Sequence, residues 1–125
     1  PVLAPGLRMY GSRHYVGDAG LIHFRDERFD AIVTEVPFAP GATDRVLQAI
    51  GHLAGYLQED GNMVLMSSVE QAVQIDPFVR DIGFHRYVFQ PINRKGTDVA
   101  IMAWSKSREK VEQMRDFLEI VHKIR

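Results

Sequence analysis

An α/β fold with a mainly parallel sheet, closed by an antiparallel hairpin, is the architecture that this 125-residue sequence predicts. Three observations predict it. Residues 30–35 (Asp-Ala-Ile-Val-Thr-Glu) and 62–66 (Asn-Met-Val-Leu-Met) are short, nearly continuous apolar runs, as buried parallel strands are. Each is followed by a segment with helical periodicity. Two further strand runs, 85–91 and 97–104, flank Lys95-Gly96, which reads as the turn of an antiparallel hairpin.

The elements follow in order. Residues 1–12 mix Pro5, Gly6 and Gly11 with apolar residues and read as irregular. His14-Tyr15-Val16 is a short strand candidate ending at Gly17-Asp18, and residues 19–28 read as a loop turning at Asp26-Glu27. The segment Phe29 to Phe38 is the most informative of the chain. Its strand delivers the Glu35 carboxylate, the rigid Pro37 and the Phe38 ring to the carboxyl edge of the sheet. Ligands of open α/β sheets sit at that edge. Pro37, Pro40 and Gly41 then form a loop.

A helix is predicted over 43–58, capped by Thr43, with Val46, Leu47, Ile50, Leu53, Ala54 and Leu57 on one apolar face. Asp60-Gly61 is its expected stop, with Gly61 supplying a positive φ. Ser68 and Gln71 have the spacing of a capping box, so a second helix is predicted to begin near Val69 and to end at Gly83. Asp76-Pro77 either kinks it or restarts it. Residues 107–125 form an amphipathic helix with Val111, Met114, Leu118, Val121 and Ile124 in one stripe, read as core or subunit contact.

Composition narrows the function classes. The chain is 46% hydrophobic and 25% charged with a net charge of −1, so one domain is expected and no global field draws it to nucleic acid or to an anionic membrane. It has no cysteine, which excludes disulfides, thiolate metal sites and a Cys nucleophile. A reducing, cytoplasmic location is the expectation. No apolar run is long enough to span a bilayer. The five histidines, at 14, 23, 52, 85 and 122, lack ligand spacing, and no metal is assigned. The chain opens with Pro1, so it was processed or belongs to something longer.

An acidic residue after one strand, an acidic-x-Pro-aromatic turn after the next and a final antiparallel hairpin together resemble the back half of a class I S-adenosylmethionine-dependent methyltransferase. The likeness is strongest to RNA methylases that modify an exocyclic base amine, as in tRNA or rRNA. Val16-Gly17-Asp18-Ala19 resembles the third-strand motif of that family, and Phe29 to Phe38 its fourth strand and catalytic turn. Asn62 to Ser67 matches the fifth strand, and the hairpin the sixth and seventh. The resemblance covers 12–105 and leaves 106–125 as an added helix on a single partial domain, 1–125. It implies a three-layer Rossmann-like sheet, present as strands three to seven.

The implied cofactor is S-adenosylmethionine, held by Asp18, Ala19 and Glu35, with Asp18 accepting from the adenine amine. The implied catalytic residues are Glu35, Pro37 and Phe38, with Glu35 as the acceptor for the target amine and Phe38 stacking the base. The family turn reads Asp or Asn, Pro, Pro, then Tyr or Phe. Here Glu35 is one methylene longer and Val36 stands for the first Pro. No Gly-x-Gly pattern occurs in the chain. The first strand of this fold lies beside the fourth, so residues 30–35 are expected to form an unpaired edge. An upstream segment, a second subunit or a second copy of the chain would complete the sheet.

Plainer readings stand beside these. Asp18 also fits a turn acid or helix cap, Glu35 a partner for a nearby Arg, and Phe38 a core plug beneath its loop. Asn93-Arg94-Lys95 forms a basic hairpin tip that fits either a solvated turn or an RNA phosphate contact. Lys106, Arg108 and Lys110 oppose the dipole of the last helix and fit an anionic partner. The alternative to an enzyme is a non-catalytic α/β module used for assembly or oligomerisation. A third reading is another nucleotide-binding α/β protein that shares the architecture alone.

Overall fold

A computed structural model describes residues 24, 28–37, 39 and 41–124. Strand β1 (Phe29–Glu35) leads through helix α1 (Thr43–Ala54) to β2 (Leu57–Ser68), then α2 (Val69–Asp81), β3 (His85–Arg94), β4 (Thr97–Ser105) and α3 (Arg108–Ile124). The sheet order is β1-β2-β4-β3, with β1 parallel to β2 and the other pairs antiparallel. The four strands follow along the chain as expected for the fourth to seventh strands, with the last one inserted between the second and third of them in the sheet. The third-strand candidate at 14–16 lies outside the described residues.

Side-chain alternation along the strands sets the two faces. Met63, Leu65 and Ser67 of β2 lie opposite Trp104, Met102 and Ala100 of β4, and all six are buried. They meet Val46, Ile50 and Ala54 of α1 and Ala72, Ile75 and Val79 of α2 in one core. At its centre Asp76 is buried in α2. One of its oxygens accepts from Trp104 Nε1 at 2.9 Å, and the other faces Arg86 at 2.7 Å and Arg80 at 3.2 Å. A buried carboxylate is tolerated because each oxygen has a donor. Asp76-Pro77 does not restart the helix, which runs on through both residues. Pro77 sits inside α2, and both it and Val73, whose carbonyl loses its usual donor, are exposed, so water can take that acceptor.

Local signals set several boundaries as expected. The Ser68–Gln71 capping box is formed in both directions. After α2, Gly83 N–H donates to Arg80 O and Phe84 N–H to Val79 O, with Gly83 at φ +105°. That is a Schellman stop, with Phe84 and Val79 both buried. Lys95 and Gly96 both have positive φ, 52° and 84°, as a two-residue type I′ hairpin requires.

Three expectations are corrected. α1 stops at Ala54 rather than at Gln58, because Tyr56 and Leu57 are claimed by the sheet. Phe29 N–H donates to Tyr56 O at 2.8 Å, and Leu57 pairs with Phe29. Thr43 is the first residue of α1 and not its cap. Ala42 holds that position, with no side-chain hydrogen bond. Gly61 is needed for space and not for a positive φ. A Cβ there would lie 2.7 Å from Leu57 Cγ and 3.0 Å from the Asp30 carbonyl oxygen, where the β1–β2 register slips past residues 58–61.

Helix α3 rests on β3 and β4. Ser107 caps it, accepting from Lys110 N–H at 3.1 Å. Val111 of the apolar stripe is buried and Leu118 is 36% exposed, while Phe117 and Ile120, beside the stripe, are 57% exposed. No described helix is long and apolar enough to cross a membrane.

Candidate active site

β1 has a single strand neighbour, β2, among the described residues, and Val33 is 72% exposed. Among the described residues the expected buried strand is instead an edge strand, paired with β2 alone. Along this edge runs a cleft of about 390 Å³ walled by Ile32, Val33 and Val36 on one side and Val46, Ile50 and Leu53 of α1 on the other. Its lining is apolar except for Thr34 and Glu35, toward the carboxyl end of β1.

The turn that ends β1 is held at two points. Val36 N–H donates to Met66 O at 2.9 Å, which extends the parallel pairing by one residue, and the Val36 side chain is buried. The Pro37 carbonyl accepts from Gln71 Nε2 at 2.6 Å. Gln71 is buried, and its Oε1 accepts from Ser68 N–H at 3.1 Å. One carboxamide thus joins the start of α2 to the turn after β1. Sequence reasoning assigned Gln71 to capping alone. The signal for its second role is a Gln on the buried stripe of α2, beside Ala72, Ile75 and Val79, where a lone cap would leave its amide N–H groups unpaired.

Glu35 is not buried. Its side chain is 54% exposed, and its carboxylate lies 3.4 Å from Arg94 Nη1 on the hairpin. In β1–β2 register Glu35 pairs with Met66, whose sulfur also lies 4.0 Å from that guanidinium. The Arg partner considered as the plainer reading of Glu35 is therefore present. Of the expected site residues, Glu35 and Pro37 stand together at the carboxyl edge of β1. Phe38, Asp18 and Ala19 lie outside the described residues.

No protein-family model and no curated protein matches the sequence. Solved structures do match. TrmN from Thermus thermophilus superposes with a TM-score of 0.63 at 15% identity, over 83% of this chain and 31% of that one. A TehB-like SAM-dependent methyltransferase from Corynebacterium glutamicum gives 0.59 at 17% identity, over 86% and 64%. An rRNA methylase from Streptococcus thermophilus gives 0.57 at 19% identity, over 83% and 64%. The chain spans less than two thirds of the length of each. The fold is that of the class I S-adenosylmethionine-dependent methyltransferases, and this chain corresponds to part of it.

Proposed function

We propose that this chain is the carboxyl-terminal part of an S-adenosylmethionine-dependent methyltransferase acting on a base amine in RNA. The observation that carries the reading is the turn after β1. An exposed Glu35 carboxylate and a Pro37 carbonyl pinned by Gln71 stand at the carboxyl end of a parallel edge strand. That is where this fold places its acceptor-binding turn. Two of the matched structures, by their names, are an rRNA methylase and a SAM-dependent methyltransferase.

In this reading the sheet is completed on the open flank of β1 by the segment upstream in the same polypeptide. Residues 1–125 count as one partial domain, with the methyltransferase part at 12–105. The exposed backbone of an edge strand is a template for such pairing. The cofactor supplies a methyl group already activated by its sulfonium. The described residues fit the acceptor side of such a site. Glu35 accepts a hydrogen bond from the target amine and directs its lone pair, Pro37 keeps the turn stiff, and Phe38, outside the described residues, stacks the base. Asp18 holds the adenine, with Ala19 and Glu35 also against the cofactor. Orientation supplies most of the rate, so little acid–base chemistry is asked of the chain.

The test is titration with S-adenosylhomocysteine of this chain and of a longer polypeptide carrying the sequence upstream of Pro1, followed by transfer of labelled methyl groups to tRNA and rRNA. Binding and transfer by the longer polypeptide are expected. A longer polypeptide that binds no S-adenosylhomocysteine removes the enzyme reading.

A second reading, a non-catalytic module for assembly, has its own support. Glu35 is engaged by Arg94, Val36 stands where the family has Pro, and α3 leaves Phe117 and Ile120 uncovered. Self-association that depends on those two residues, without cofactor binding, would select it.

A further inference from the structure

A second cleft, of about 700 Å³, opens between the end of α2, the start of β3 and the first two turns of α3. His85 on its wall pairs with Ser105 of β4, and Ser105 with Asn62 of β2. Glu35 pairs with Met66, toward the other end of β2. The cleft therefore lies at the opposite end of the sheet from the turn after β1.

Four guanidinium groups line it: Arg80, Arg86, Arg108 and Arg115. Their charge is poorly compensated. Arg80 and Arg86 both face the same oxygen of Asp76, at 3.2 and 2.7 Å, so one carboxylate serves two cations. Glu112 is on the wall, four residues after Arg108 and three before Arg115. Even so, among the described residues no carboxylate forms an ion pair with Arg108 or Arg115. Arg115 is positioned by donating to the Arg86 carbonyl at 2.7 Å, which fixes its fork while leaving other N–H groups to point elsewhere. In a chain of net charge −1, this is a concentrated local exception.

The cleft also has aromatic walls. The Arg86 guanidinium lies 5.0 Å over the Phe89 ring, and Phe89 is 38% exposed. Guanidinium forks match phosphate oxygens in pairs, and flat guanidinium and aromatic surfaces receive unstacked bases. A carboxylate-bearing peptide would satisfy the first feature and leave the second unused.

We propose that this arginine-lined cleft binds the phosphate backbone of a single-stranded nucleic acid, with the Arg86–Phe89 stack beside its bases. The site does not rest on the methyl-transfer reading, since it needs neither cofactor nor the turn after β1. It also differs from the hairpin tip, where Arg94 is engaged with Glu35.

Fluorescence anisotropy of a short labelled oligouridylate with this chain tests it. Binding is expected at low salt and weakens as salt rises, by about 0.7 in the log–log slope for each phosphate engaged. Arg108→Glu, an exposed position, is expected to lower affinity by about tenfold or more and to reduce the slope. Arg80→Gln is expected to act in the same direction, and it serves as the second variant should Arg108→Glu fail to give the native circular dichroism spectrum. Lys95→Asn, which removes the tip charge while suiting the turn, is expected to change nothing. The proposal is overturned if the unaltered chain binds no oligouridylate. It is overturned if both arginine variants bind as well as the parent, or if Lys95→Asn abolishes binding. Equal displacement by polyglutamate would overturn it in favour of an acidic protein partner.

Discussion

Arg94 and Glu35 meet across the sheet: the guanidinium Nη1 at the end of β3 lies 3.4 Å from the carboxylate at the end of β1, 59 residues earlier. Among the described strands these two are the outermost, with β2 and β4 between them. Both side chains are more than half exposed, so the pair contributes about 0–1 kcal/mol and is screened by salt. Arg94→Ala is expected to shift the urea midpoint hardly at all. In the longer polypeptide, Glu35→Ala, which removes the acceptor, is expected to lower methyl transfer by about 100-fold with stability little changed. Parallel urea curves and labelled-methyl assays check both.

Gln71 serves two structures at once, and two substitutions separate them. Gln71→Glu keeps an oxygen for Ser68 N–H but has no N–H for the Pro37 carbonyl. It is expected to preserve the start of α2 and to loosen the turn after β1, read as faster amide exchange near Val36. Gln71→Ala loses both contacts and is expected to cost about 1–3 kcal/mol.

Asp76 joins three elements through Trp104, Arg86 and Arg80. Asp76→Ala leaves a buried indole N–H and two guanidinium groups without their acceptor, for an expected loss of about 2–4 kcal/mol in urea unfolding. Trp104→Phe is expected to cost less through the hydrogen bond alone. A double-mutant cycle between the two positions gives their coupling.

Burial raises the Tyr87 phenol above its ordinary value of 10.0, and its hydroxyl donates to Asn62 Oδ1 at 2.9 Å. The folded protein therefore holds a proton that the unfolded chain gives up first. The resulting stability is complete below the unfolded value and is lost as pH rises toward the folded one. Urea midpoints between about pH 8 and 11 are expected to fall on the alkaline side, and Tyr87→Phe to flatten that fall.

Gly61→Ala drives a methyl group against Leu57 and the Asp30 carbonyl. Backbone cannot yield as a side-chain tip does, so a loss of about 1–3 kcal/mol is expected, measured by thermal unfolding.

The legible parts of this protein are those that depend on neighbours a few residues apart. The Ser68–Gln71 box, the Gly83 stop and the Lys95-Gly96 turn could all be read from local pattern, whereas local pattern read residues 30–35 as buried and only the family resemblance suggested an edge. The same reasoning overran α1, because Leu57 continues the apolar stripe of residues 46–54 as well as it begins a strand. Pairing with Phe29 chose the strand. For the site, residue types placed Glu35 and Pro37 at the carboxyl edge but could not identify what holds them.

Caps, turns and alternation are written in the chain because their energies arise between adjacent residues. The partners that hold the turn after β1 and tie α2 to β4 were settled by folding. Gln71 finds Pro37 from 34 residues away, and Trp104 finds Asp76 from 28. Such pairs are chosen by strand order and register, which depend on the packing of the whole sheet and not on any one segment.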